Sequence, residues 1–115
     1  MNDILRFAQE AARIAEGKKA EDITILDLRQ ISTLTDAFVI CSVTNIRQAK
    51  AIAQDIEENL ARNGLKLDHM EGYPDSTWIL MDYTDFVVHI FTHEARRYYD
   101  LEHLWGDAPR VDLNE

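Results

Sequence analysis

A chain of 115 residues, 46% hydrophobic and 29% charged, is long enough to bury one core without covalent staples and ordinary for a globular domain. Twelve Lys and Arg against 21 Asp and Glu leave a net charge of −9, which argues against an extended phosphate-binding surface and suits a basic protein partner. No apolar run reaches the ~18–20 residues of a membrane span, the N-terminal residues lack a secretory pattern, and the single cysteine, Cys41, excludes an internal disulfide, so a cytoplasmic address is expected.

Residues 3–16 read as an amphipathic helix. Asp3 is placed to cap it, Ile4, Ala8, Ala11 and Ala15 recur at helical spacing, and Gly17 is placed to end it. Residues 23–28 alternate as a first strand, and 30–36 read as a turn or a single helical turn. Residues 37–43 form a continuous apolar run of strand length, the pattern of a strand buried on both faces. Thr44 or Asn45 can cap the next helix, in which Ile46, Ala49, Ala53, Ile56 and Leu60 step by three and four until Gly64 stops it. Residues 65–70 alternate as a third strand, and 71–76 hold turn residues.

The stretch from Trp78 to Trp105 is the densest in anchoring side chains, with both tryptophans and three of the four tyrosines. Two apolar runs flank Asp82-Tyr83-Thr84-Asp85, which predicts an antiparallel hairpin. The period then changes. Ala95, Tyr98, Leu101 and Trp105 share one stripe, so a final helix is expected to fold back on the sheet. Residues 1–107 are expected to form the domain and 108–115 a loose tail. The order predicts a single α/β domain, a mixed sheet with packed helices.

Catalytic constellations are missing. Cys41 lies mid-strand with no basic neighbour to lower its pKa. His69, His89, His93 and His103 fall on different elements and do not pair at metal-ligand spacing. Asp82 and Asp85 flank a turn and would diverge, and Cys41-Ser42-Val43-Thr44-Asn45-Ile46 holds no Gly-rich phosphate loop. No catalytic residue, metal or cofactor is therefore expected.

Strand alternation sets Trp78, Leu80 and Asp82 on one face and Ile79 and Met81 on the other. It likewise separates Val87, His89 and Phe91 from Phe86, Val88 and Ile90. If the two mixed sets coincide, the sheet has one core side and one semi-polar side suited to a partner; otherwise helices cover both. His89, interrupting an apolar strand, is either a hydrogen-bonded core residue or part of that face.

Taken together, Thr35-Asp-Ala-Phe-Val-Ile-Cys-Ser42, Ile46-Arg-Gln48, Ala51-Ile52, Glu71-Gly72, Trp78-Ile-Leu-Met-Asp82, Asp85-Phe-Val-Val-His-Ile-Phe91 and Arg97-Tyr-Tyr-Asp-Leu-Glu102 with Leu104-Trp105 resemble the ribosomal silencing factor, or Iojap-like, family over about residues 4–107. The resemblance implies a nucleotidyltransferase-like fold without transferase activity. It further implies docking on ribosomal protein fourteen of the large subunit, steric exclusion of the small subunit, and repressed translation in starvation or stationary phase. It assigns Trp78, Asp82, His89 and Tyr99 as contact positions; Leu80 and Phe91 are added from the face argument. Val43 stands where many relatives look to have glycine, which stiffens the loop before the long helix. The competing readings are a dimeric binding module with a non-ribosomal partner and a small nucleotidyltransferase. A homodimer through the semi-polar face would compete with docking.

Overall fold

The computed structural model describes residues 3–113, with side chains from Leu5 onward. Its elements are α1 (Asp3–Gly17), β1 (Glu21–Asp27), β2 (Ala37–Val43), α2 (Ile46–Arg62), β3 (His69–Glu71), β4 (Trp78–Asp82), β5 (Phe86–Thr92), α3 (His93–Tyr99) and α4 (Leu101–Leu104). One mixed five-stranded sheet runs β1-β2-β5-β4-β3, parallel only between β2 and β5. The long apolar run is the second strand from the β1 edge and is buried on both sides, as its composition requires.

Helices α1 and α2 cover the first face. Ala8, Ala11, Ala12 and Ala15 of α1 and Ala49 and Ala53 of α2 are buried against Val39, Cys41, Ile79, Met81, Phe86, Val88 and Ile90. Small alanines let the helix axes come close to the strands, and the branched and aromatic strand residues fill the space between. The caps on Asp3 and the stripe position of Ile4 lie outside the described side chains. Asn45, rather than Thr44, caps α2: its Oδ1 accepts from Gln48 N at 2.8 Å, and Gln48 Oε1 accepts in return from Thr44 N at 3.0 Å. At the other end Gly64 takes φ +89°, while its N–H reaches Ala61 O and the N–H of Leu65 reaches Leu60 O. That is a two-bond helix stop requiring a left-handed residue. Ile46 is 47% exposed and drops out of the buried stripe, which Ile52 joins instead.

Three expectations are corrected. The third strand is only His69–Glu71; Leu65 and Leu67 bury their side chains against the core while the backbone before Asp68 stays unpaired with β4. The final helix breaks at Asp100, whose φ of 48° is left-handed, so α3 and α4 turn separately and Tyr98 is left 80% exposed instead of joining the packed stripe. The tail is docked through its described part. Asp27 N bonds to Pro109 O, Val111 N to Ile25 O, Gln9 Nε2 to Asp112 O, and Ala108 is buried. This segment lies on the outer edge of β1, where unpaired backbone groups need partners. Residues 114 and 115 lie outside the described part.

Candidate protein-docking face

The second face is where the two mixed strand faces meet. Trp78 pairs with Phe91, Leu80 with His89 and Asp82 with Val87, so the sets read separately from the sequence share one surface. Across the sheet, Ile40, His89, Leu80 and Glu71 form one row, and Phe38, Val87, Asp82 and His69 the next. Apolar residues dominate on the β1–β2 side and polar ones on the β3 side.

Cover follows that gradient. Ala95, Leu101 and Trp105, from α3, α4 and the residue after it, pack with Leu26, Leu28, Ile40, Phe91 and Ala108 in a second, smaller core. Arg96 fastens this cap. Its guanidinium donates to Glu102 Oε1 and Oε2 at 2.9 and 2.8 Å, to Ser42 Oγ at 2.9 Å and to Thr24 Oγ1 at 3.1 Å, tying α3 to α4 and to both neighbouring strands. Those hydrogen bonds hold the Glu102 carboxyl below its ordinary range, against the opposing effect of its partial burial. The cap meets β4 at Trp78, while Leu80, Asp82 and Val87, farther from it, stay half-buried.

Trp78 sits at the margin of the cap. Its ring stacks on Phe91 with centroids 5.0 Å apart and meets Tyr99, 47% exposed, at 4.4 Å. Its Nε1–H donates to His89 Nδ1 at 3.0 Å, which fixes both the indole and the imidazole tautomer. Burial pushes His89 down to about 3, so the ring is neutral at ordinary pH. Both alternatives posed for His89 are therefore met in part: it is a hydrogen-bonded buried residue that orients the aromatic at the face.

Of the six expected contact positions, Trp78, Leu80, Asp82 and Tyr99 have exposed or half-exposed surface on one side of the molecule. Phe91, at 0% exposure, and His89, at 4%, do not, so the assignment of these two as surface contacts is corrected to support from beneath. The sequence alternation gave their face but not the depth of the cap. Asp82 also serves the hairpin, its Oδ1 accepting from Thr84 N at 2.7 Å. Phe38, Leu34 and Trp105 line the same face and were not among the expected contact positions, Trp105 having been read only as part of the last helical stripe. The period-2 partner of a half-buried strand residue was the available signal for Phe38; Leu34, 88% exposed in a loop, gave none. Cys41 is fully buried with its thiol pushed up to about 12, an inert core position.

Among the described residues no group of three His, Cys, Asp or Glu side chains is arranged to hold a metal ion, and no helix is long and apolar enough to cross a membrane. The family model described as "Ribosomal silencing factor during starvation" matches residues 2–115. The chain belongs to the ribosomal silencing factor family. It is 44% identical over 104 residues to a ribosomal silencing factor of Bacillus subtilis, covering 90% of this chain and 88% of that one. It is 32% identical over 111 residues to the chloroplastic Iojap protein of Zea mays, covering 96% of this chain and 48% of that longer protein. A crystal structure from Chromobacterium violaceum superposes with a TM-score of 0.87 at 32% identity over 92% of this chain and 88% of that one. A second, from Bacillus halodurans, gives 0.80 at 35% identity over 97% and 99%. The ribosomal silencing factor family and the mixed α/β fold are thus established together.

Proposed function

We propose that this ribosomal silencing factor acts by exclusion. It docks through the half-open second face on the large ribosomal subunit in the cytoplasm, at ribosomal protein fourteen, and keeps the small subunit from joining. The observation that carries this is the half-buried Trp78, held by His89 and flanked by Tyr99 and Leu80 beside the carboxylate of Asp82. A rigid aromatic anchor inside a patch with a polar margin is the arrangement in which a few residues dominate binding. A net charge of −9 supports a basic ribosomal protein as the partner. Exclusion requires a shaped surface and no catalytic group, so the factor is read as a non-enzyme. A second copy seated on the same face would compete with the ribosome for it.

Sedimentation of the purified protein with separated ribosomal subunits tests this. The wild type is expected to travel with the large subunit, and folded Trp78→Ala to remain at the top of the gradient. Wild-type protein that stays at the top with intact large subunits present would overturn the reading.

A further inference from the structure

The net charge of −9 is not spread evenly over the molecule. Glu21 pairs with Ser42 and Val43 with Thr92, so the start of β1 and the ends of β2 and β5 share one edge of the sheet. At the opposite edge Asp27 ends β1, Asp36 precedes β2, Asp82 ends β4 and Asp85 precedes β5. The first edge gathers four cations. Lys18 and Lys19 come just before β1, and Arg47 and Lys50 lie in the first turns of α2, just after β2. Gln48 Nε2 donates to Lys18 O at 3.1 Å and holds the two pairs side by side.

Lys18, Lys19 and Arg47 are exposed, and Lys50 is half-buried with its ammonium 5.4 Å from the centre of the Tyr73 ring. Among the described residues none of the four forms an ion pair. The flanking carboxylates do not neutralise them: Glu21 is held by His93 at 2.6 Å, and Glu16 pairs with neither lysine. A cleft of about 530 Å³ opens along Asn45, Ile46, Arg47 and Lys50. Arg47 and Lys50 also stand where they weaken their own helix. The first turn of α2 has no acidic residue, and cations there oppose the positive end of the helix dipole. The helix end itself is already filled, because Asn45 and Gln48 cap it in both directions. Apart from the Lys50–Tyr73 contact, these cations stabilise nothing within the chain, and their match is an anion supplied from outside.

We propose that this cluster grips the phosphate backbone of large-subunit RNA beside the docking site, a contact made by side chains outside the second face. The identity of the RNA rests on the docking reading above. Phosphates repeat along a strand, so they can meet cations carried by two different elements, and each contact gains from released counterions. The Tyr73 ring lies under Lys50 and its hydroxyl accepts from Gln54 Nε2 at 2.6 Å, so the aromatic beside the cluster is not free to stack a base. The contact therefore follows the backbone and not the sequence. Trp78 begins β4 at this same edge, paired with Phe91, so a subunit held on Trp78 lies next to the cations. Four cations make a local seat, well short of the extended surface that the net charge excludes. The acidic opposite edge is repelled by RNA, which favours one orientation on the subunit.

Lys18→Gln, Lys19→Gln and Arg47→Gln combined in one variant remove three charges from exposed positions. Its stability should equal or slightly exceed that of the wild type, because a cation leaves the start of α2. Binding is then measured to intact large subunits and to isolated ribosomal protein fourteen, at salt from about 50 to about 200 mM. The variant, being more acidic, is expected to bind the isolated protein at least as tightly as the wild type does. It should bind the intact subunit about tenfold or more weakly at the lowest salt. The slope of log affinity against log salt should drop by about two to three units, close to one per cation. Trp78→Ala should weaken both complexes and leave that slope unchanged. If the triple variant binds the subunit like the wild type with the same slope, or loses the isolated protein to the same extent, the RNA contact is overturned and docking through the second face stands. If the wild type binds neither, the docking reading fails and the RNA contact fails with it.

Discussion

The two faces of the sheet are built from different materials and close to different degrees. The α1–α2 face is sealed: alanines from both helices meet aliphatic and aromatic strand residues, and each of the core residues named above on β4 and β5, from Ile79 to Ile90, is buried. The opposite face has aromatics with polar handles, a cap of two short helices, and a margin near β3 with no helix over it. Interdigitated apolar packing leaves nothing for a partner to do. Aromatics held by hydrogen bonds and ring contacts stay ordered in water and keep area to offer. Neighbouring residues on one strand, Trp78 and Ile79, therefore belong to different kinds of energetics.

Substitutions on the two faces should separate cleanly. Phe86→Ala on the sealed face, where the ring is 1% exposed and stacked on Tyr83, is expected to lose about 3–5 kcal/mol of stability in a denaturant titration. Molecules still folded should bind the large subunit as the wild type does. Trp78→Ala should do the reverse, costing about 2 kcal/mol or more of binding, with a smaller loss of stability because Tyr99 and the cap remain. A weaker affinity for folded Phe86→Ala than for Trp78→Ala would erase the distinction between the faces.

The second face should also respond to acid. Its His89 has a folded pKa of about 3 against an ordinary 6.5, so the unfolded chain takes up a proton below 6.5 that the folded one refuses. This contribution is fully present above pH 6.5 and is lost as the pH falls from 6.5 toward 3, at up to about 1.4 kcal/mol per pH unit. Unfolding free energies of the wild type and His89→Phe between pH 7 and 4 should differ in slope by that amount; parallel curves would contradict it. The smallest effect belongs to Asn45→Ala. Losing the cap of α2 should lower stability by about 1 kcal/mol and leave binding through the second face unchanged, because α2 lies wholly on the sealed side.

The sealed side was also the more legible one. A helix stripe stepping by three and four, a cap residue before it and a glycine after it are local facts, and α2 follows them from Asn45 to Gly64. The hairpin was equally readable from two apolar runs and a four-residue turn, whereas the coincidence of its mixed faces stayed open until the register paired Trp78 with Phe91 and Leu80 with His89. Long-range packing was not. Residues 65–67 alternate because Leu65 and Leu67 turn toward the core on either side of exposed Lys66, a pattern that says nothing of backbone pairing. The break at Asp100 depends on a left-handed residue that any aspartate can supply but few do. Burial of Phe91 and His89 depends on a cap whose position is set by Arg96 reaching Ser42 and Thr24, contacts 54 and 72 residues away in the chain. The docked segment after Gly106 was hidden by its polar composition, because the hydrogen bonds that seat it come from its backbone, at Pro109 O, Val111 N and Asp112 O.

If the half-open face performs the silencing, subunit joining must depend on it. Light scattering would follow association of purified small and large subunits in the presence of wild-type protein, Trp78→Ala, or Ile79→Val as a control of similar position on the sealed face. The wild type and Ile79→Val are expected to suppress the joining signal in proportion to protein added, and folded Trp78→Ala to leave it intact. Suppression by Trp78→Ala equal to that of the wild type would contradict it.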